Sequence, residues 1–229
     1  MKDFYQLLDE ESKRISKIND LNNLKNIFDS EFLNRGNYWE RLAKLGFYIK
    51  LLDEYNYDFI QEAQVLSNQI HFGIINCILF KDKIGINRGQ PTVFNHRYTF
   101  MIESTIHCIY SYWNRVGLAL NTYLKKPLPL KATYFNSVVP QLKKDYPSLD
   151  KNKFYHWLCE IEASLIDFGR NEFAHNNSLT MQIFLSSDAN RFEKVIGISD
   201  SLVLHNKLIV NEFNNLISLF EVLENTNCK

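Results

Sequence analysis

Residues 97–124 read RYTFMIESTIHCIYSYWNRVGLALNTYL, and this stretch decides the fold. Its apolar side chains recur at alternating spacings of four and three residues, which places them on one face of an α-helix. The continuous stripe predicts a central packing helix. Pro127 and Pro129 end the pattern, because proline lacks an amide donor and disfavours helical backbone before it. The stripe consists of Ile102, Ile106, Ile109, Trp113, Val116, Leu120 and Tyr123.

Helical patterns also lie on both sides of this stretch. The chain has only 8 Gly and 5 Pro, which favours long helices over a many-stranded sheet. The helix before residue 81 becomes more apolar toward its end, and the glycines and proline of residues 81–91 predict a loop. Helices are predicted at residues 3–28, 39–55, 58–80, 134–144 and 200–223. Their core positions include Ile70, Phe72, Ile74, Ile78, Leu202, Ile209, Phe213, Leu216, Phe220 and Leu223.

A further helix follows Pro147, with Ser148 or Asp150 predicted to cap its first amides. After it, Met181–Leu185 and Phe192–Ile198 flank a polar turn and predict a small β-hairpin within residues 181–198. The expected fold is therefore an all-α bundle with one small hairpin. The apolar stripe of the helix is Phe154, Leu158, Ile161, Leu165 and Phe168.

Composition limits the class of protein. The 229 residues suffice for one sizeable core, and no internal repeat or boundary divides them, so residues 1–229 are predicted to form a single domain. Lys+Arg and Asp+Glu both total 26, which gives zero net charge. Proteins that coat nucleic acid by bulk charge are usually basic, so any contact with RNA is expected to be local.

Cysteines and apolar runs bear on the compartment. Cys77, Cys108, Cys159 and Cys228 are far apart and are interpreted as buried free thiols, as in a reducing compartment. The N-terminus has no secretory apolar core, and the apolar run of residues 71–80 is shorter than the roughly 20 residues that span a bilayer. The protein is predicted to be cytoplasmic and not to associate with a membrane.

The sequence Asp167-Phe-Gly-Arg-Asn-Glu-Phe-Ala-His-Asn-Asn177 combines groups suited to RNA chemistry. Arginine is permanently cationic and histidine titrates near neutrality, so together they can hold a phosphate and move a proton. On an unbroken helix Arg170 and His175 would lie roughly 140° apart, whereas Asn171 and His175 would share a face. Joining Arg170 to His175 therefore requires a loosened helix end, a long Arg170 side chain that wraps round the helix, or a second subunit that supplies the other half of the site.

Other common sites are absent from the sequence. It contains no phosphate-binding GxxxxGK[ST] loop, no GxGxxG, no HExxH and no GxSxG. Glu172 and His175 have the Glu-x-x-His spacing of di-iron bundles, but those sites need a second such motif, and no other histidine has Glu three residues before it. The sequence predicts neither a metal site nor a cofactor.

Residues Arg170-Asn-Glu-Phe-Ala-His175 resemble the R-x4-6-H motif of the HEPN superfamily, the higher eukaryotes and prokaryotes nucleotide-binding helical domains. In that family the motif lies late in a long helix of an all-α bundle and is followed by a further packing helix. The resemblance covers about residues 97–223. Residues 1–96 are expected to add N-terminal helices that pack on the HEPN-like part.

The resemblance implies a metal-independent endoribonuclease of the kind found in toxin–antitoxin and phage-defence systems. His175 would be the general acid or base, and Arg170 would hold the scissile phosphate. Asn171 would orient His175 or the phosphate, with help from Asn176. The family implies an RNA or nucleotide substrate, a homodimer in which two motifs meet, and an antitoxin protein as partner. Many members only bind nucleotides or partners, so a non-catalytic module is the alternative.

Plainer interpretations stay open for each of these residues. His175 lies seven residues after Phe168 and would be a buried core histidine on a regular helix, while Arg170 would be a helix-end cation. Glu103 and His107 share a helix face with Ser111 and are either a supporting strip beside the motif or part of an ordinary helix interface.

The segment Lys125–Lys153 contains seven lysines against two aspartates. It is either a local RNA-steering surface or simply a solvated charged surface.

Overall fold

The computed structural model describes residues 3–18, 40–41, 59–85, 90–168, 178–184 and 189–227. No strand occurs within these ranges, and the predicted all-α class is confirmed. The described residues also include two short 3-10 helices, Leu130–Ala132 and Pro147–Lys151, on either side of the α-helix Phe135–Asp145. The described α-helices are α1 (Phe4–Ile18), α2 (Phe59–Lys81), α3 (Val93–Asn121), α4 (Phe135–Asp145), α5 (Lys153–Asp167), α6 (Leu179–Phe184) and α7 (Ala189–Asn227).

Helix α3 carries the stripe that the sequence predicted, and every member of the stripe from Ile102 to Leu120 is 0% exposed. The helix begins four residues earlier than predicted, because the Thr92 hydroxyl accepts the Asn95 N–H and caps its first turn. At the other end the Asn121 side chain pairs with both backbone groups of Leu128. These bonds close the connection toward α4 and fix where the helix ends.

Two local predictions are wrong. The described residues of the predicted β-hairpin, 181–184 and 189–198, belong instead to α6 and α7. In α7, Val195, Ser199 and Leu202 are buried at helical spacings. Runs of five and seven residues are too short to distinguish the helical period from the strand period, so the sequence pattern predicted strands where helices form. The cap of α5 is Asn152, whose side-chain oxygen accepts the backbone amides of Phe154 and Tyr155, and not Ser148 or Asp150.

The chain divides into two units, each assembled from several stretches of sequence. The first unit comprises Met1–Asn26, Asn68–Cys108 and Phe168–Leu208. The second comprises Ile27–Ser67, Ile109–Asp167 and Ile209–Lys229. The single domain, and the HEPN-like part with its packed N-terminal helices, stay predictions.

In the first unit α2 and α3 approach closely at Gly73. A Cβ atom added there would lie 2.2 Å from the Thr105 hydroxyl oxygen, so glycine permits the contact. Thr105 is itself held by its hydrogen bond to the Met101 carbonyl. Nearer the start of α3, the Tyr98 hydroxyl donates a hydrogen bond to the Ile196 carbonyl of α7. Lys81 of α2 forms an ion pair with Asp200 of α7.

The second unit has an aromatic core. The ring of Trp113 lies 5.0 Å from that of Phe135 and 5.8 Å from that of Trp157, measured between centroids, which joins α3 to α4 and α5. Phe59 packs edge-on against Phe220, joining α2 to the end of α7. Large rings that bury on several faces contribute much of the packing energy of a helical core.

Several side chains depart from their predicted environment. Phe72 is 51% exposed rather than part of the core. Cys77 is a buried free thiol as predicted, whereas Cys108 and Cys159 are free but only half-buried, and Cys228 lies outside the described residues. None of the described helices has a stretch long and apolar enough to cross a membrane.

Candidate functional site

The motif singled out by the sequence lies between two described flanks. Arg170, Asn171, His175 and Asn176 fall in residues 169–177, outside the described residues. The chain is described again from Ser178. The structure therefore describes the residues at the two ends of the motif, all within the first unit. We call these residues the frame: Phe168 with His205 before the motif, and Leu179 with Glu103 after it.

The helix that leads into the motif ends before it. α5 stops at Asp167, and Phe168 lies in a turn. The sequence predicted that this helix would contain the motif, but the helix ends at Asp167, before the motif begins. A glycine, Gly169, comes next in the sequence, and glycine is the residue that most often follows a helix end.

Phe168 anchors the chain on the N-terminal side of the motif. Its ring is 6% exposed and packs edge-on against the imidazole of His205 in α7, with the ring centroids 5.2 Å apart and the planes at 76°. His205 is 3% exposed, and burial lowers its pKa to about 4. The imidazole is thus neutral at physiological pH, because a low-dielectric environment disfavours its charged form.

Glu103 anchors the chain on the C-terminal side of the motif. Its Oε1 atom accepts the backbone N–H of Leu179 at 2.6 Å, a charge-assisted bond to the first residue of α6. Leu179 is 3% exposed. The carboxylate satisfies one of the free amides at the helix start, so it fixes where the chain leaves the motif.

A second contact joins α6 to α3, at a position on α3 one turn before Glu103. The hydroxyl oxygens of Thr99 and Thr180 are 2.6 Å apart. Ser178 accepts the amide of Met181 through its side chain, at the long distance of 3.4 Å. α3 therefore holds the segment after the motif through two side chains four residues apart, which lie on the same helix face.

The proposed supporting strip on α3 is only partly brought together. Glu103 contacts the chain four residues after His175, as described above. His107 belongs to the same unit and is exposed, and Ser111 belongs to the second unit and is half-buried. Of these three residues, Glu103 contacts the chain after the motif, through its bond to the Leu179 amide.

Sequence reasoning missed His205. A signal was present, since His205 lies three residues after Leu202 and four before Ile209, on the buried stripe predicted for the last helix. A histidine at such a position is expected to be buried and neutral. Its pairing with Phe168, however, depends on tertiary packing.

The described cysteines are poor nucleophiles. Burial raises the pKa of the Cys77 thiol to about 12, and burial also raises the pKa values of Cys108 and Cys159. A thiol reacts as its thiolate, so these groups are mainly unreactive at neutral pH. Cysteine chemistry is therefore not favoured at these three positions.

Neither family models nor curated proteins nor solved structures include a match to this chain. The resemblance to the HEPN superfamily thus stays a prediction from residues 170–175, and the function is argued below as a proposal.

Proposed function

We propose that this protein is a metal-independent endoribonuclease of HEPN type. The observation that carries the proposal is the sequence Arg170-Asn-Glu-Phe-Ala-His175 in an all-α chain, between a long amphipathic helix and a further packing helix. The frame supports it, because a catalytic group must be held by fixed neighbours and buried contacts fix both Phe168 and Leu179.

Each residue has a role in this proposal. His175 takes the proton from the ribose 2′-hydroxyl or supplies one to the leaving 5′-oxygen, since its ordinary pKa lies near neutrality. Arg170 binds the scissile phosphate and offsets charge that develops in the transition state. Asn171 orients the imidazole or a phosphate oxygen, and Asn176 assists. The attack of the 2′-oxygen breaks the P–O5′ bond and leaves a 2′,3′-cyclic phosphate.

Cleavage of RNA by purified protein tests the proposal directly. Wild-type protein in EDTA should cut single-stranded RNA and leave 2′,3′-cyclic phosphate ends. His175→Ala and Arg170→Ala should each lose at least about a hundredfold in rate, the usual range for a general acid or base. Asn177→Ala is the matched control and should keep wild-type activity. Equal rates of RNA cleavage for wild type and His175→Ala would contradict the proposal.

The proposal includes a homodimer in which two motifs meet. Arg170→Ala and His175→Ala proteins, each inactive alone, test this when they are mixed and allowed to exchange subunits. If one site takes Arg170 from one subunit and His175 from the other, the mixed dimer contains one complete site and activity returns. A mixture that exchanges subunits yet stays inactive would show that each site is complete within one chain.

A toxin or phage-defence role follows from the same family and is part of the proposal, with an antitoxin as the partner. Expression of wild-type protein in cells should arrest growth, and expression of His175→Ala should not. The alternative is a non-catalytic nucleotide-binding or protein-interaction module. It predicts binding of a nucleotide or partner that survives loss of His175, with no cleavage of any RNA offered.

A further inference from the structure

Charge is unevenly distributed along this neutral chain. The segment Lys125–Lys153 carries seven lysines and two aspartates, so the rest of the chain has a matching acidic excess. The whole segment belongs to the second unit. A local excess of one sign creates a field that neutral composition hides, and such a field attracts ligands of opposite charge.

Contacts within the unit bring Lys125 and Lys143 together at the turn that follows α4, whereas Lys131 lies before the start of α4, in the 3-10 helix Leu130–Ala132. The Lys125 backbone N–H donates to Asp145, and its Nζ lies 5.7 Å from the centre of the Tyr146 ring. Lys143 pairs with Asp150 at 2.5 Å. These bonds bring the chain after α3, the end of α4 and the 3-10 helix Pro147–Lys151 together. We define the lysine surface as the exposed side chains of Lys125, Lys126, Lys131, Lys143, Lys144, Lys151 and Lys153.

The two aspartates do not neutralise this surface. Asp150 is engaged by Lys143, and Asp145 accepts the Lys125 amide and the Gln141 side chain. The ammonium groups of Lys125 and Lys153 lie over the rings of Tyr146 and Phe154. In the part of the chain that the structure describes, the remaining four lysines have neither a carboxylate nor a ring partner: Lys126, Lys131, Lys144 and Lys151.

The surface lies on a rigid support. The Asn114 side chain accepts the Phe135 N–H at the start of α4, and the Tyr155 hydroxyl donates to the Val139 carbonyl. The inner face of α4 is fully buried through Val138, Val139 and Leu142, each 0% exposed. A preformed surface loses little backbone entropy when it binds a ligand.

We infer that the lysine surface binds the phosphodiester backbone of single-stranded RNA. This inference deepens the proposed function and rests on it for the choice of RNA. Unpaired lysines supply point charges for phosphates. Tyr134, 53% exposed at the start of α4, offers a ring on which an unpaired base can stack.

Binding should be measured with an RNA that the protein cannot cut. A fluorescein-labelled 2′-O-methyl oligouridylate of about 12 nucleotides keeps the backbone charge but has no free 2′-hydroxyl to attack. Fluorescence anisotropy then gives the affinity across a salt series. The test variant is Lys131→Glu with Lys144→Glu, which breaks no described ion pair. The matched control is Lys17→Glu with Lys194→Glu, since both lysines are exposed, lie in the first unit and give the same change in net charge.

The expected effect follows from counterion release. Each phosphate contact contributes about 0.7 to the salt slope on a single strand, so losing two lowers the slope by about 1.4 and weakens binding roughly 25-fold at about 0.1 M salt. The control variant should bind within about twofold of wild type, because it changes the net charge equally but leaves every lysine of the lysine surface in place. Tyr134→Ala should weaken binding at least about fivefold and leave the salt slope unchanged.

Several results would overturn the inference. Equal losses in the test and control variants would show that net charge and not this surface attracts RNA. Unchanged affinity in Tyr134→Ala would contradict the assignment to single-stranded RNA. Binding to anionic vesicles but not to the oligonucleotide would contradict it as well. Circular dichroism melting must first show that the test variant folds. Lysine-dependent binding without cleavage of unmodified RNA would support this inference and overturn the proposed function.

Discussion

The imidazole of His205 packs edge-on against the ring of Phe168, the last described residue before the motif, with centroids 5.2 Å apart. This contact places a buried neutral histidine beside the entry to residues 169–177. The stability of that entry is therefore linked to pH through His205.

We expect acid to destabilise the protein through His205. Burial lowers its pKa to about 4, below the ordinary value of 6.5, so the unfolded chain binds the proton first. Stability is fully present above pH 6.5, falls as the pH drops toward 4, and levels off below that. Between pH 7 and pH 5 the loss should be about 2 kcal/mol. Urea unfolding of wild type and His205→Leu at both pH values measures it, and an equal loss in the two proteins would contradict it.

Glu103 should fix the start of α6 through its bond to Leu179. Glu103→Ala removes the acceptor from a half-buried amide and should cost about 1 to 3 kcal/mol. Glu103→Gln keeps an acceptor and should cost less. Hydrogen exchange at the Leu179 amide is the direct measurement, with faster exchange expected in Glu103→Ala than in Glu103→Gln. Unchanged exchange in both variants would show that this carboxylate does not hold the segment after the motif.

Two helical glycines should respond to alanine in opposite ways. A Cβ at Gly117 would lie 2.9 Å from the backbone of Phe135, which cannot move aside as a side chain can, so Gly117→Ala should destabilise by about 1 to 3 kcal/mol. A Cβ added at Gly197 would have none of the described residues within 4 Å, so Gly197→Ala should stabilise the protein by up to about 1 kcal/mol. Thermal melts of the two variants decide this, and shifts of the same sign would be the contrary result.

Asn152 should be the residue that caps α5, because its side-chain oxygen accepts the Phe154 amide at 2.9 Å. Asn152→Ala should cost about 1 kcal/mol. Ser148→Ala is the control, since Ser148 is exposed and lies in the preceding 3-10 helix. Chemical denaturation compares the two. A larger loss of stability in Ser148→Ala than in Asn152→Ala would show that Ser148 caps α5, as the sequence predicted.

Sequence periodicity was sufficient for the described helices that it predicted and for most of the described core, while the helix predicted at residues 39–55 lies outside the described residues except for residues 40–41. α2 begins and ends within one residue of its predicted limits, and the α3 stripe is fully buried. Periodicity works here because it is local: a helix places residues three and four apart on one face whatever the partner. It failed at residues 181–198, where the runs were too short to distinguish helix from strand, and at Phe72, whose helix face meets solvent.

By itself the sequence determined the all-α class, the buried helix faces and the motif that carries the functional proposal. Tertiary structure alone decided that Glu103 meets Leu179 across 76 residues, that His205 meets Phe168, and that two of the lysines come together at the turn after α4. The physical reason is that hydrophobic burial is non-directional. It specifies which faces leave water, and close packing in three dimensions then selects which faces meet.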